Sequence, residues 1–404
     1  MDKSVLEYIY NNMEKTVKYS PKDDDTLIGL PYKYTTPCAS DMFQEIYYWD
    51  TYFTNVGLIL MGKTELAKSN VDNMLFLIEK YGFMPNGNRT FYLNRSQPPF
   101  LSKMVRDIFE ETKDTIWLDN AYGTLKKEYS FWQTKRVFNN GLNGYTGYVF
   151  NEDEVSGNSK AFFNRTGHHF NGDLTYDIKY EFAKAAMSFN ESGWDCNSRL
   201  GIDGHNYCSV DLNSLLFDME ENMMYFSTVL KNGEEEFWKD KKDDRRKKMQ
   251  VLWNDKEGYF TDYNHKTNEF SNYFSAASFY PLFCNISTTE QAQKTVNNLK
   301  KLELKFGVSA GESNPQWSCQ WDYPNIWAPI QFIVYKGLMN YGYTTEAKRI
   351  AEKYIALIDN GFSNTGNLWE KYDGNTGKVV ANEYEAPPMM GWTAGVYIYF
   401  CNQR

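Results

Sequence analysis

The chain has 404 residues, of which 42% are hydrophobic and 24% are charged. These fractions are close to those of ordinary globular proteins and exclude the disordered and fibrous classes, and a chain of this length can bury a large core. The formal net charge of -9 argues against a nucleic-acid partner, because proteins that bind nucleic acids present basic surfaces.

Nothing in the sequence predicts membrane insertion or export. The longest unbroken apolar run, residues 56–61, is far shorter than the roughly 20 residues of a spanning helix. The amino-terminal residues contain no basic region followed by an apolar stretch, so we expect no signal peptide. Six cysteines are scattered without close pairs and are interpreted as reduced thiols. We therefore predict a cytoplasmic protein without a membrane partner.

Apolar residues at helical spacing dominate the chain. Between Thr64 and Tyr81 they fall on one helical face, and Gly82 is the expected stop. A second clear pattern ends before Gly361. The charge-dense residues 233–248 are interpreted as a solvent-facing outer helix, and residues 148–150 as a short strand. In chain order, helices are predicted at 3–17, 48–61, 64–81, 101–111, 115–136, 175–189, 211–231, 234–253, 288–303, 326–339, 345–360 and 391–401.

Two of the predicted helix pairs resemble each other. Each pair follows a Trp-Asp dipeptide, at 49–50 and 321–322, and each is followed by a Gly-Phe dipeptide, at 82–83 and 361–362. Helix pairs that cannot bury an apolar face alone must stack on their neighbours, and about six such pairs would close into a toroid. An open solenoid is the alternative, but the irregular spacing of the repeat and the long loops favour the toroid. We predict an all-α fold of about a dozen helices, with long loops carrying the functional site.

Several kinds of catalytic site are absent from the sequence. The four histidines lack the spacing of metal ligands, and neither a Gly-x-Ser-x-Gly nucleophile turn nor a glycine-rich phosphate loop occurs. We therefore predict no metal and no cofactor. The composition is instead rich in aromatic residues, at 17% of the chain, which favour a large aromatic core or faces on which sugar rings pack.

Carboxylates lie among aromatic and amide side chains in several predicted loops. Any one of these segments alone is more typical of a capped helix start or a surface loop. Together, at helix–loop junctions, they favour a common pocket of the kind that glycoside hydrolysis needs, with two carboxylates flanking the scissile bond. The segments are 43–50, 85–99, 191–199, 320–329 and 367–373, the last continuing to 382–385.

These segments resemble the signature motifs of trehalases of glycoside hydrolase family 37. The resemblance extends from about residue 41 to residue 397 and keeps the motifs in the family's order. It implies one catalytic domain, residues 1–404, folded as an (α/α)6 toroid. The matching segments are 43–53, 85–99, 192–199, 320–329, 370–373, 383–384 and 391–396.

The resemblance also implies an inverting mechanism on an α-glucosidic bond. The family's general acid corresponds to Asp195 and its general base to Glu370. Such a pair leaves room for a water between the two groups, so we expect a separation of about 6.5–9.5 Å. Because the acid must carry a proton, we expect Asp195 to be buried beside Trp194. Without the resemblance, a turn residue and a surface cap would be the preferred interpretation of the two carboxylates.

The substrate-binding residues are likewise implied by the resemblance. They combine hydrogen-bonding groups with aromatic walls, although Trp321 also fits the core of a toroid. The implied positions are Trp49, Asp50, Asn86, Arg95, Ser96, Gln97, Arg165, Gly193, Trp321 and Glu383.

One departure from the family pattern concerns an arginine that touches substrate. Residues 40–42 read Ser-Asp-Met where the family has Gly-Gly-Arg, so Met42 replaces that arginine. Methionine donates no hydrogen bond, and either Arg165 or Arg89 could supply the missing cation.

The sequence therefore predicts an inverting α-glycosidase that hydrolyses trehalose to two glucose molecules, acting as a monomer on a small disaccharide. A hydrolase of another small α-glucoside on the same scaffold is the first alternative. A non-catalytic sugar-binding protein is a second, which the retention of both Asp195 and Glu370 disfavours.

Overall fold

The computed structural model describes residues 3–314, 317, 319–381 and 385–403. Helices make up most of this part of the chain. They are α1 Lys3–Asn12, α2 Tyr48–Leu60, α3 Thr64–Tyr81, α4 Leu101–Thr112, α5 Thr115–Lys135, α6 Glu152–Thr166, α7 Tyr176–Ser192, α8 Val210–Leu230, α9 Glu235–Lys248, α10 Tyr280–Phe283, α11 Thr289–Asn297, α12 Ala328–Asn340, α13 Thr344–Thr365 and α14 Gly391–Asn402.

Six of the helices form a closed inner ring. In the order α2, α4, α8, α10, α12 and α14, each helix packs against the next, and α14 returns to pack along α2. Helices α3, α5, α9 and α13 lie against this ring and pack on the inner helices beside them. The closure confirms the predicted toroid over the open solenoid. Within the described residues, every helix is too short or too polar to cross a membrane.

The inner ring is closed by an unusually near approach of α2 and α14. A Cβ atom added to Gly57 would lie 2.6 Å from the Cα of Gly395, and one added to Gly395 would lie 2.1 Å from the carbonyl oxygen of Phe53. Any larger side chain would force the two helices apart. Glycine at both positions therefore allows the last helix to seal the ring.

Helices α6 and α7 form a separate hairpin between α5 and α8. They pack on each other, and the rings of Phe162 and Phe189 stack with centroids 5.6 Å apart. Helix α6 is absent from the sequence prediction. It begins at Asn151, whose side chain accepts a hydrogen bond from the Glu154 amide, and three acidic residues occupy its first turn. The hairpin brings Arg165 and the end of α7 to one side of the ring.

Two local predictions are wrong. Residues 148–150 form no strand, and the Tyr148 amide donates to the carbonyl of Asn94 in a neighbouring loop. Helix α13 does not stop at Gly361 but continues to Gly366, whose φ of 68° ends it in the left-handed conformation. A Cβ at Gly361 would lie 3.0 Å from the Tyr372 ring, so this glycine serves close packing instead.

The strands are two or three residues long and lie in the loops. They pair antiparallel as β1 with β2, as the sheet β3–β6–β7, as β4 with β5 and as β8 with β9. In the last pair Trp327 lies opposite Lys371. The strands are β1 Val17–Lys18, β2 Tyr34–Thr35, β3 Tyr207–Cys208, β4 Trp253–Asn254, β5 Tyr259–Phe260, β6 Tyr263–Asn264, β7 Glu269–Phe270, β8 Asn325–Trp327 and β9 Lys371–Asp373.

Candidate active site

A cavity of about 160 Å³ opens at the amino-terminal ends of inner helices α2, α12 and α14. Each of the five carboxylate-bearing segments contributes to its wall, so the common pocket expected from the sequence exists. Nine of the residues predicted for the site line it: Trp49, Asp50, Asn86, Arg95, Gln97, Gly193, Asp195, Trp321 and Glu370.

Stacked indole rings form the inner wall of the cavity. Trp321 lies parallel to Trp327 at 3.9 Å and to Trp194 at 5.5 Å between centroids. The ring of Trp49 lies 5.5 Å from Trp321, and Trp392 stands edge-on to this group. Trp321 is only 2% exposed yet lines the cavity, so it is both a core aromatic and a pocket wall.

Asp195 enters the cavity from the end of helix α7. The helix ends at Gly193, where φ is 72° and where a Cβ atom would lie 2.7 Å from the indole of Trp49. Only glycine fits this turn, which then directs the chain through the buried Trp194. The Asp195 side chain is 43% exposed, so the expected burial beside Trp194 is wrong. Its carboxylate faces the cavity while the neighbouring indole packs into the core.

Arg165 at the end of α6 lies beside the predicted acid. Its Nη2 is 3.6 Å from Oδ2 of Asp195, and its Nη1 donates to Asn190 Oδ1 at 3.1 Å. Arg89, the other candidate for the missing cation, instead pairs with Glu45 and donates to Thr26. Arg165 is therefore the cation that reaches the predicted acid.

Met42 lies outside the cavity wall. Its side chain is 46% exposed, and its backbone amide bonds to the hydroxyl of Ser40 at 3.4 Å. The neighbouring Phe43 does line the cavity.

Glu370 enters from the opposite side, directly before strand β9. It is 4% exposed, and its Oε2 lies 3.0 Å from Nζ of Lys371. The fully buried Lys371 also donates to Gln320 Oε1 at 2.8 Å and lies over the ring of Trp327 at 4.9 Å. The indole Nε1 of Trp392 bonds to the Glu370 carbonyl at 3.3 Å. This buried ammonium stabilises a negative charge on Glu370.

Asp50, in the first turn of α2, lines the same cavity as the two predicted catalytic groups. Burial raises the pKa of Asp50 to about 8, and the negative charges of Glu370 and Asp195 raise it further against the hydrogen bond of its own backbone amide. At neutral pH in the unliganded protein, Asp50 therefore carries a proton and can donate as well as accept a hydrogen bond.

On the wall next to Tyr92, Arg95 and Asn86 are hydrogen-bonded to each other, and Gln97 is bonded to the main chain of Trp49. The Arg95 Nε donates to Asn86 Oδ1 at 3.0 Å, and its guanidinium lies 4.7 Å from the centroid of the Tyr92 ring. Gln97 Oε1 accepts from the Trp49 amide at 3.3 Å. These bonds hold the side chains in place before any ligand binds.

Two further predicted residues do not line the cavity. Arg165 is one of them, and its guanidinium lies beside the cavity residue Asp195. Ser96 does not line the cavity: it is fully buried, its hydroxyl donates to the Met84 carbonyl at 2.6 Å, and its amide donates to Glu191 at 2.9 Å. Its contacts support the loop that carries Arg95. Glu383 lies outside the described residues.

Some wall residues escaped prediction from the sequence. Tyr47, Tyr92, Gln320 and Trp327 lie inside the segments identified above, where the pattern of residue types did not separate wall from support. Lys371 follows the predicted base directly, and its role becomes visible only through its contacts. Trp392 lies in the matching segment 391–396, whereas Pro37 and Met390 lie outside the segments identified above.

A larger cavity of about 720 Å³ lies at the other end of the ring, near the carboxyl ends of α2, α4 and α12. None of the predicted site residues lines it. Lys103 in its wall pairs with Asp218 at 2.8 Å. Size alone does not identify the active site here, because the chemistry predicted from the sequence lies at the opposite end.

Comparison with known proteins agrees with this geometry. A family model described as Trehalase matches residues 2–403. The periplasmic trehalase of Xanthomonas axonopodis pv. citri is 32% identical over 401 residues, covering 93% of this chain and 69% of that protein. The periplasmic trehalase of Escherichia coli O8 is 31% identical over 404 residues, covering 92% of this chain and 69% of that protein.

Solved structures show the same fold. Neutral trehalase Nth1 from Saccharomyces cerevisiae has a TM-score of 0.78 at 29% identity, covering 92% of this chain and 73% of that chain. A GH63 mannosylglycerate hydrolase from Thermus thermophilus has a TM-score of 0.68 at 14% identity, covering 99% of each chain. The second likeness concerns the fold alone.

The predicted cytoplasmic location is wrong. The relatives from Xanthomonas, Pseudomonas and Escherichia are named periplasmic trehalases. The composition of a catalytic domain does not record its compartment, which explains the error. Family, fold and motif order agree along the chain, which belongs to the trehalase family and is a glycoside hydrolase.

Proposed function

We propose that the protein hydrolyses trehalose with inversion, using Asp195 as general acid and Glu370 as general base. One observation carries this proposal: both carboxylates enter the same cavity from different segments, and Asp50, whose pKa burial raises to about 8, lines that cavity with them. Inverting glycosidases hold their two carboxyl groups about 6.5–9.5 Å apart, which leaves room for the attacking water.

In the proposed reaction, the Asp195 proton passes to the glycosidic oxygen as the bond from this oxygen to the anomeric carbon breaks. Glu370 removes a proton from a water molecule, and the oxygen of that water attacks the anomeric carbon from the opposite face. The attacked glucose leaves as the β-anomer. The other glucose keeps its own anomeric oxygen and leaves as the α-anomer.

The electrostatics of the two sides suit these roles. Lys371, 3.0 Å from Glu370, stabilises the ionised base. The Asp195 side chain is 43% exposed and faces the cavity, where it can reach the glycosidic oxygen of a bound sugar. Arg165 then lies close enough to stabilise the Asp195 carboxylate that forms after proton transfer.

Substrate recognition is assigned to the remaining wall. Arg95, Asn86 and Gln97 offer a preformed set of donors and acceptors, and Asp50 can serve as either. The indoles of Trp49 and Trp321 supply apolar faces for sugar C–H groups. We retain Gly193, Ser96 and Glu383 as proposed members, with Ser96 acting through the loop that it supports. We also propose that residues 1–404 form a single catalytic domain and that the protein is a monomer.

A second substrate has one observation in its favour. Met42 lies outside the cavity wall and carries no charge, and the Arg165 guanidinium lies beside Asp195. A sugar hydroxyl that binds the family arginine would then lack this partner, so the site could accept another small α-glucoside.

Following the names of the relatives, we propose that the protein acts outside the cytoplasm.

The test is glucose release from trehalose, kojibiose, nigerose and maltose by the wild type and by Asp195→Asn and Glu370→Gln. We expect trehalose to be the best substrate and each variant to lose about 10²–10⁴-fold in kcat, the usual contribution of general acid–base catalysis. Unchanged thermal midpoints would show that the variants fold. Faster cleavage of another disaccharide would overturn the substrate, and near-normal activity of either variant would overturn the mechanism.

A further inference from the structure

Two buried thiols are in contact next to the predicted general acid. The Sγ atoms of Cys196, directly after Asp195, and Cys319, directly before Gln320, are 2.7 Å apart. Their exposed fractions are 0% and 3%. Sulfur atoms in a disulfide are about 2.05 Å apart, so a movement of about 0.7 Å would bring these two to bonding distance.

The backbone on either side already holds the two segments together. The Trp321 amide donates to the Cys196 carbonyl at 3.3 Å. Two residues beyond Cys196, the amide and hydroxyl of Ser198 both donate to the Asp322 carboxylate, at 2.9 and 2.6 Å. A bond between the sulfurs would therefore join two segments that are already hydrogen-bonded to each other.

Other buried thiols in the chain do not show this arrangement. The Sγ of Cys38 lies 3.3 Å from the hydroxyl of Ser40, and the Sγ of Cys208 accepts from Asn140 Nδ2 at 3.3 Å. Their surroundings are those of ordinary buried cysteines. The contact between Cys196 and Cys319 is thus specific to the two segments that meet at the active site.

We propose that Cys196 and Cys319 are a disulfide-forming pair that links the two sides of the catalytic cavity. One segment carries Asp195. The other carries Gln320, which accepts from Lys371 at 2.8 Å, and Lys371 holds Glu370 at 3.0 Å. The bond would fix the acid side relative to the base side. This consequence for catalysis rests on the proposed function, whereas bond formation itself does not.

The chemistry is a thiol–disulfide exchange with a small-molecule or protein disulfide as oxidant. One thiolate attacks the oxidant, forming a mixed disulfide and releasing one thiol. The second cysteine then displaces the second thiol and forms the Cys196–Cys319 bond. Two protons and two electrons leave the protein, and the oxidant is reduced to two thiols. The location proposed above, outside the cytoplasm, would supply such an oxidant.

Bond formation is tested on the reduced full chain, unfolded and refolded in oxidised glutathione so that both thiols are accessible. Of the six thiols, four should remain titratable after denaturation, and the mass should fall by about 2 Da with one peptide pair linked through Cys196 and Cys319. Cys196→Ala and Cys319→Ala should each keep five titratable thiols, whereas the control Cys208→Ala should form the link. Six titratable thiols in the wild type, a link between other cysteines, or glutathione adducts alone would overturn the pair.

The consequence for the site is tested by comparing the linked wild type with the same protein after reduction. We expect reduction to lower the thermal midpoint by about 3–8 °C, since a long closed loop is released. We expect kcat on trehalose to fall about two- to tenfold, because small displacements of catalytic groups slow the reaction. Reduction should change neither the thermal midpoint nor the kcat of Cys319→Ala. A confirmed link whose reduction changes neither quantity would refute the proposed effect on the site. Since the peptide map needs no activity, its result is independent of the substrate assignment.

Discussion

The carboxylate of Glu370 shares its surroundings with a buried ammonium group. Lys371 is fully buried and divides its donors between Glu370 and Gln320. A general base must be ionised to take a proton from water, and a neighbouring positive charge favours the ionised form. We infer that Lys371 is a positioning residue for the base.

Replacing this lysine should therefore damage catalysis more than binding. Lys371→Met is expected to lower kcat about 10- to 100-fold, the effect of losing charge-assisted hydrogen bonds, with a smaller change in KM. Steady-state kinetics on trehalose from about pH 4 to about pH 9 measure both effects.

The matched control is a partly buried lysine at the far end of the ring. Lys103 pairs with Asp218 in the larger cavity, away from the catalytic residues. Lys103→Met should lower the thermal midpoint and leave kcat and the pH profile unchanged. An equal loss of kcat in both variants would show that Lys371 acts through stability alone.

Sequence reasoning proposes Asp195 and Glu370 as the catalytic pair because the surrounding motifs are long and keep their order. It does not find Lys371, since a lysine beside a glutamate is usually a solvated charge and only burial gives it another role. Ser96 shows the opposite case. The resemblance implies that its hydroxyl binds substrate, but in the structure it donates to the Met84 carbonyl within the loop. Side-chain direction in a loop depends on contacts that the linear pattern does not record.

The contact between helices α2 and α14 closes the ring and depends on two glycines. Gly57 and Gly395 face each other so closely that a methyl group on either would overlap the opposite backbone. The two helices also carry Asp50 and Trp392 into the cavity. The spacing of this pair therefore affects both stability and the site.

Adding one methyl group tests this contact. Gly395→Ala is expected to destabilise the protein by about 2–4 kcal/mol, because the overlap with backbone at 2.1 Å can be relieved only by moving a helix. Gly123→Ala in α5 is the control, since an added Cβ there has no neighbour within 4 Å. The control should be neutral or stabilise by up to about 1 kcal/mol. Urea denaturation measures the free energy of unfolding of both variants. Equal values would refute the role of the close contact.

Elements with a strong apolar face are predictable within a few residues, and α3 has the bounds that its pattern predicts. Helix α6 escapes prediction because its sequence is polar and its main support is the packing against α7. Gly361 resembles a stop because glycine usually follows a helix, yet here it allows the Tyr372 ring to approach. In both cases tertiary packing overrides the local preference.

Across the whole molecule, several carboxyl groups have pKa values well above their usual range. Burial raises the pKa of Asp50 to about 8 and that of Glu128 to about 7. It also raises the pKa of Asp107 and of Asp322 to about 6. Nearby cations partly oppose this rise at Asp107, and hydrogen bonds partly oppose it at Asp322. In the unfolded chain such groups titrate near about 4.

These shifts fix the sign of the pH dependence of stability. Between about pH 4 and pH 8 the folded protein binds more protons than the unfolded chain, so the free energy of unfolding falls as pH rises. His205 has the opposite effect below about pH 6.5, because burial lowers its pKa to about 4. His265 shares this direction, because burial lowers its pKa as well. The four carboxyl groups outnumber the two histidines.

We therefore expect the protein to be more stable near pH 5 than near pH 8, by at least about 2 kcal/mol. Asp50→Asn removes one of the responsible groups while keeping its shape. It should stabilise the protein at pH 8 by about 1–3 kcal/mol and have little effect at pH 5. Chemical denaturation at the two pH values measures this difference. Greater stability at pH 8, or an equal effect of the variant at both values, would contradict the assignment.

The central claim is that Asp195 and Glu370 hydrolyse trehalose by a single inversion. Proton NMR of the glucose anomers, recorded before mutarotation, tests it most directly. Inversion at one of the two α-linked anomeric carbons gives equal amounts of α- and β-glucose at the earliest times. Initial release of α-glucose alone would mean retention through a covalent intermediate, and the proposed roles of both carboxylates would be wrong.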